Sequence, residues 1–168
     1  MTTTILLAGI LQSMFISLGV GASTLAIINF FVAIKDGNID QTERKMMGVT
    51  YIILRVAMVG ILFTTLVLLA PVMIEDVTML GVFSLGQLTI VAILFINAAL
   101  MTARLMPSKY GPGIQAGSWY TLGGITAMAG LGIAAYSYTE FLVGYVAVML
   151  LAVVLVICVM NWMKKGRV

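Results

Sequence analysis

Five long apolar segments constrain the fold of this chain more than any other feature. They cover residues 4–34, 47–74, 78–105, 116–136 and 139–163. Each is long enough to cross the hydrocarbon core of a bilayer as a helix, which takes roughly 20 mainly apolar residues. Backbone polar groups find no water in that core, so a spanning segment satisfies them within a helix. The sequence therefore predicts an all-α fold, in which residues 1–168 form one integral membrane bundle of five transmembrane helices.

The composition agrees with a membrane protein and narrows the chemistry. Hydrophobic residues make up 62% of the chain and charged residues 9%, against about 45–50% and 25% in soluble domains. Cys158 is the single cysteine, and histidine is absent, so the commonest metal and haem ligand is missing. No nucleophile and base fall together within the segments. We therefore expect no enzyme activity, no metal, no cofactor and no nucleic-acid partner.

The charged residues indicate how the chain is oriented. The first connection, the third connection and the C-terminus carry eight basic residues, namely Lys35, Arg44, Lys45, Arg104, Lys109, Lys164, Lys165 and Arg167. The N-terminus and the other two connections carry no basic residue, only Glu75, Asp76 and Glu140. Basic residues in short loops favour the cytoplasmic side. We therefore predict a multi-pass protein of a prokaryotic inner membrane, with its N-terminus outside and its C-terminus inside.

The stretch AIKDGNIDQTERKMM at 33–47 concentrates charge in the first cytoplasmic connection. Gly37, beside Asp36, suits the end of the first helix because glycine adopts a left-handed backbone at no steric cost. Asp40 and Glu43 have the spacing of an N-cap and its capping-box partner. Since the first two segments exceed the bilayer thickness, we expect them to form a hairpin that protrudes into the cytoplasm.

Six polar residues inside the apolar segments are candidates for the lining of a solute pathway. They are Gln12, Ser23, Asn29, Arg55, Gln87 and Asn97. Arg55 is the only charge deep inside a segment, since Arg104 and Glu140 lie at segment ends. A charge in that position marks a functional site by default. Near the inner boundary its side chain can also snorkel to the headgroups. The amides can equally join helices by hydrogen bonds, so both interpretations stay open.

Small residues cluster in the first and fourth segments, where they favour close helix packing. Those singled out are Gly19, Gly21, Gly123, Ala127, Gly130 and Ala134. Pairs of small residues four positions apart let helix backbones approach each other in membranes. The fifth segment has almost no polar residue between Phe141 and Val159, so it is expected to face lipid or a partner subunit.

The stretch QSMFISLGVGASTLAIINFFVAIKDGNIDQTE, with its GxGxxT, Phe, DGxI and Glu positions, resembles a family of small multi-pass bacterial membrane proteins. INAALMTARLMP is similar to a later Asn-small…Pro stretch of the same family. Distant relatives of that family bind b-type haem through histidines. Gln12 and Met101 stand where such relatives often have histidine. The resemblance therefore implies the membrane fold and no haem.

Two functions fit these features. The first is the binding or passage of a small solute or ion by a homo-oligomer in the lipid bilayer. The chain is small for an alternating-access transporter and shows no internal repeat, which favours assembly of several copies. The alternative is a non-catalytic structural or scaffold subunit that joins other membrane subunits through its glycine-rich faces and its hairpin.

The orientation predicts which residues react from each side of the membrane. In a Cys158→Ala background, Lys109→Cys should react with an impermeant maleimide only in inside-out vesicles. Glu75→Cys should react only in intact cells. Labelling of the two variants from the opposite sides would contradict the charge argument.

Overall fold

The structure is a bundle of five α-helices. The computed structural model describes residues 3–35, 40–76, 80–107, 109–133 and 136–165. Its helices are α1 (Thr3–Lys35), α2 (Gln41–Glu75), α3 (Val82–Thr102), α4 (Gly111–Gly130) and α5 (Tyr138–Lys165). Within those ranges there is no strand, so the predicted all-α architecture is confirmed. Asp36, Gly37 and Ala134 lie outside the described residues.

Four of the helices, α1, α2, α3 and α5, are long and apolar enough to cross a membrane. This is the pattern expected of a multi-pass membrane protein. The fourth helix, α4, has a comparable length but is rich in glycine and polar residues. Many of its side chains are buried against the other helices, so its composition reflects packing inside the bundle.

Consecutive helices run antiparallel. In the α1–α2 pair, Gln12 bonds Thr65 and Asn29 bonds Thr50, so positions rise along one helix as they fall along the other. The two bonds from α2 to α3 follow the same rule. On α4, Gly111 lies against Met101 and Gln115 bonds Asn97 of α3, while Gly113 lies against Val153 and Gly117 against Met149 of α5. The end of α1, the start of α2 and the α3–α4 connection therefore meet at one end of the bundle, here called the hairpin end.

The first two helices extend past α3 at the hairpin end. Thr102, the last residue of α3, lies beside Arg55 of α2, with Nη2 and Oγ1 3.5 Å apart. Gln41 begins α2 about 14 residues earlier, which is roughly 21 Å at 1.5 Å per residue. The α1–α2 hairpin therefore projects beyond the end of α3 and leaves a recess in front of it.

The start of α2 is capped from both directions. The Glu43 backbone N–H donates to Oδ1 of Asp40 over 2.7 Å, and the Asp40 N–H donates to Oε2 of Glu43 over 3.0 Å. Both bonds of a capping box are therefore present. They fix the first turn of α2 next to the end of α1.

Several helix boundaries differ from the expected segments. The second helix begins at Gln41 instead of residue 47, and α3 covers 82–102 instead of 78–105. Pro71 does not end α2, because it lies inside the helix, which runs on to Glu75. The missing proline N–H is tolerated in membrane helices where the local backbone adjusts. The fourth helix covers 111–130 instead of 116–136. It starts early because Pro112 fits a first helical turn, and it ends before Gly132, which has a φ of 73°.

Close packing falls on glycines that face a neighbouring helix. A Cβ on Gly117 would lie 2.9 Å from the Met149 Cα, and one on Gly113 would lie 2.7 Å from the Val153 Cα. Both clashes are with the backbone of α5, so α4 and α5 approach closely only because these residues lack side chains. Gly19 gives the indole of Trp119 the same kind of space.

The other small residues singled out in the sequence take different positions. A Cβ on Gly123 would make an ordinary 3.4 Å contact with Val20, while Gly21 and Gly130 have open space around them. Ala127 is also exposed. These exposed positions do not pack helices together within this chain.

The apolar surface of α5 faces outwards. Only 11% of its spanning window is buried in the bundle, and most of its large side chains are exposed. Phe141, Tyr145 and Val156 are its buried exceptions. The expectation that this helix faces lipid or another subunit agrees with this exposure.

The Gly117 contact predicts an asymmetry between two glycine substitutions on α4. Gly117→Ala should destabilise the protein by about 1–3 kcal/mol, because α5 has to move away. Gly124→Ala has open space around its Cβ and should be neutral or stabilising by up to about 1 kcal/mol from helix propensity. Thermal unfolding in one detergent measures both. Equal effects would contradict the close approach of the two helices.

Candidate functional site

The buried side-chain amides form two groups, separated by an apolar layer. One group joins α1, α2 and α3, and the other lies between α2, α3 and α4 nearer the hairpin end. One helical turn beyond Met58, Asn97 and Gln115 lie three buried apolar residues. These are Ile61, Leu94 and Trp119, each at most 1% exposed. We call them the Trp119 layer.

The first group is a glutamine–threonine triad. The hydroxyl of Thr65 accepts from Nε2 of Gln12 over 3.2 Å and from Nε2 of Gln87 over 2.9 Å. All three side chains are buried, so their bonds replace water that is absent there. The triad ties three helices together through one hydroxyl, which favours the structural interpretation of Gln12 and Gln87.

The second group centres on Asn97, which is 2% exposed. Its Nδ2 donates to the Gly111 carbonyl and to Oε1 of Gln115, each over 3.1 Å. The Nε2 of Gln115 lies 3.7 Å from the Met58 sulfur. This group therefore holds α3 against the start of α4 and turns Gln115 towards α2.

A cavity of about 270 Å³ lies next to this second group, and we call it the hairpin-end cavity. Its lining comes from α2, α3 and α4 and comprises Tyr51, Leu54, Arg55, Met58, Ala98, Met101, Thr102 and Gln115. It lies where α3 stops and the α1–α2 hairpin continues. The sequence candidates Arg55 and Asn97 are thus brought to one place, the first in its wall and the second directly behind Gln115.

Ser23 and Asn29 lie near this site on α1. Ser23 lines a narrow crevice that shares Tyr51, Met101 and Gln115 with the cavity wall. Asn29 donates to Oγ1 of Thr50 over 3.1 Å and joins the two arms of the hairpin. Of these two candidates, Ser23 borders the site and Asn29 has a structural contact.

Arg55 is exposed, and its described hydrogen bond is the 3.5 Å contact to Thr102. No carboxylate among the described residues forms an ion pair with it. A guanidinium group has five N–H donors, so most of its hydrogen-bonding capacity is unused. The guanidinium can thus donate hydrogen bonds to a group that enters the recess.

The Trp119 layer separates the second polar group, around Asn97, from the glutamine–threonine triad. Trp119 is fully buried over Gly19, and its indole N–H has no hydrogen-bond partner within the described residues. The side-chain oxygen of Asn97, Oδ1, also has no hydrogen-bond partner within the described residues. The six polar candidates therefore do not form one continuous route in this conformation.

Sequence reasoning missed several residues that matter here. Thr65 joins the triad, and Tyr51 and Thr102 line the cavity. Threonine and tyrosine are common in membrane helices, so their identity alone gives no signal. The signal that remains is a pair of adjacent threonines, Thr64 and Thr65, deep inside an apolar segment.

Comparison of the chain with protein-family models, with curated proteins and with solved structures finds no match. The resemblance to small bacterial membrane proteins therefore stays a prediction. Within the part of the chain that the structure describes, no three His, Cys, Asp or Glu side chains come together as a metal site would require. The site is one of amides, hydroxyls and a guanidinium.

The triad predicts different effects for two substitutions at Thr65. Thr65→Val should cost about 1–2 kcal/mol of stability, because two buried amides lose their acceptor. Thr65→Ser keeps the hydroxyl and should retain most of that stability. Thermal unfolding under identical detergent conditions compares them. If the serine variant is as unstable as the valine variant, packing of the methyl group matters more than the hydrogen bonds.

Proposed function

We propose that this protein binds a small solute or ion in the hairpin-end cavity, as a homo-oligomer in a prokaryotic inner membrane. The observation that carries the proposal is Arg55 in the wall of a 270 Å³ cavity, with no ion-pair partner among the described residues. A membrane-embedded arginine is costly to keep without a role. Snorkelling explains its position, but it does not explain why a cavity with further polar groups lies beside it.

In this proposal α4 also crosses the membrane, which brings the number of spans to five, and the N-terminus is outside. Its 20 residues give a length of roughly 30 Å, which matches the hydrocarbon core. It packs antiparallel against α3 and α5, both of which are apolar enough to cross. An antiparallel helix between two spans has to return across the membrane for the chain to continue.

The proposal separates binding from passage. Binding uses the cavity as it stands, at the end where the basic loops place the cytoplasm. Passage also requires the Trp119 layer to open, since it lies between the cavity and the glutamine–threonine triad. Gly19 leaves the indole without a side chain beneath it, so Trp119 is the group whose movement opens this layer.

The scaffold alternative is favoured by a different observation, the projection of the α1–α2 hairpin beyond α3. A capped helical hairpin about 20 Å long offers a surface to other proteins outside the membrane. In that case the cavity is incidental, and Arg55 serves only to anchor the helix at the headgroups.

Filling the cavity separates the two functions. Native mass spectrometry of protein extracted gently from its own membrane should show a small bound mass on the wild type. Ala98→Phe places a ring in the cavity and should remove that mass. Ala147→Phe, at an exposed position of α5, is the matched control and should keep it.

Two results would contradict the solute proposal. The first is a wild-type spectrum without a small ligand and with foreign subunits in fixed ratio, unaffected by Ala98→Phe. The second is a ligand whose occupancy is the same in both phenylalanine variants. The first result supports the scaffold function, and the second places the ligand elsewhere.

A further inference from the structure

Hydrogen-bonding capacity fixes the orientation of two amides beside the hairpin-end cavity. The Gly111 carbonyl can only accept, so the Asn97 atom 3.1 Å from it is the amide nitrogen. That nitrogen also lies 3.1 Å from the end of the Gln115 side chain, where a donor requires an acceptor, and 3.6 Å from the weakly accepting Met101 sulfur. Gln115 therefore has its oxygen turned to Asn97 and its NH₂ group turned away.

That NH₂ group belongs to a residue of the cavity wall and has little to bond. Its contact is the Met58 sulfur at 3.7 Å, and a thioether is a weak acceptor. Gln115 and Met58 both line the cavity. The amide thus offers donor capacity to whatever occupies the space.

The remaining described polar groups of the cavity wall also offer hydrogen-bond donors and no carboxylate. The Thr102 hydroxyl donates its proton to the Ala98 carbonyl over 2.8 Å and accepts from Arg55. The Tyr51 hydroxyl bonds no other described residue. No carboxylate is found among the described residues of the lining. The cavity is therefore rich in unused donors and contains a positive charge.

The charges around the cavity act in the same direction. Arg104 and Lys109 lie in the short α3–α4 connection at this end, while Glu75 lies at the opposite end of α2. Asp40 and Glu43 lie at the tip of the hairpin, where the capping box holds them roughly 18 Å along α2 from Arg55. A recess lined by one sign of charge raises the local concentration of the opposite ion.

We infer that the hairpin-end cavity binds an anionic group, a carboxylate or a phosphate, with Arg55 as the charged anchor and Gln115 as a neutral donor. This inference rests on the proposed function and names the ligand class of the same site. Guanidinium pairs with both groups through two parallel hydrogen bonds. The volume of 270 Å³ is below the roughly 300–1,000 Å³ of ordinary small-molecule sites, so the body of the ligand is small.

Cysteine labelling tests the charge preference with defined probes. Ala98→Cys in a Cys158→Ala background, in phosphatidylcholine nanodiscs, is treated with sulfonatoethyl or trimethylammonioethyl methanethiosulfonate. The rate ratio of the anionic to the cationic reagent should fall about tenfold when Arg55→Gln is added. Arg104→Gln removes an equal charge that does not line the cavity, and should change the ratio by about twofold or less because it is screened. Arg55→Lys should keep most of the preference.

Neutral N-ethylmaleimide separates this inference from the proposed function. Labelling of Ala98→Cys by the neutral reagent, together with a charge ratio unaffected by Arg55→Gln, would leave an accessible cavity and overturn the anion site. No labelling by any reagent, at Ala98→Cys and also at Met101→Cys on the same wall, would overturn both. Equal neutral labelling with and without Arg55→Gln shows that the variant keeps the cavity.

Two further arms identify the source of the anion. Slower N-ethylmaleimide labelling in added inorganic phosphate or acetate, lost in Arg55→Gln, supports a free solute. Slower labelling on changing to phosphatidylglycerol nanodiscs without added solute, again dependent on Arg55, supports a lipid headgroup. Absence of protection in every arm would overturn the inference.

Discussion

The close approach of α4 to its neighbours is the contact on which the rest of this bundle depends. Gly117 lets the helix meet the backbone of α5, and Gly19 gives space to Trp119 against α1. Once α4 is held there, Gln115 faces α2 and the Gly111 carbonyl faces Asn97. Between helices in lipid the hydrophobic effect contributes little, so dispersion and hydrogen bonds determine such contacts. The glycine-rich α4 therefore packs against three helices, α1, α3 and α5.

Hydrogen-bond accounting then gives the cavity its chemical character. In a low-dielectric interior a buried donor or acceptor without a partner is costly. The Gly111 carbonyl therefore defines which way the amides of Asn97 and Gln115 point. Both amides of the triad donate to the Thr65 hydroxyl inside the bundle. The Asn97 group instead turns the NH₂ of Gln115 towards Met58, in the wall of a space that Arg55 also lines. The two polar groups therefore have different roles, although in sequence they consist of the same residue types.

Much of the fold was predictable from local pattern, while the site was predictable only in part. The helices follow from apolar length, and the bonds at Asp40 and Glu43 follow from their spacing. Arg55 stood out because it is a lone charge in an apolar segment. Thr65 and Thr102 could not be predicted, since their roles depend on Gln87 and Arg55 from other helices. Glycine spacing was also insufficient, because Gly21 and Gly130 have the right neighbours in sequence and face outwards.

The sequence by itself determined the helices, the capped first turn of α2 and the one-sided distribution of basic residues, because these depend on neighbours a few positions apart. Only the tertiary structure decided that Arg55, Gln115 and Thr102 surround one cavity, and that Trp119 lies between it and the triad. Those arrangements depend on which face each helix turns inwards and how closely the backbones approach. A single residue, such as Gly117, decides both.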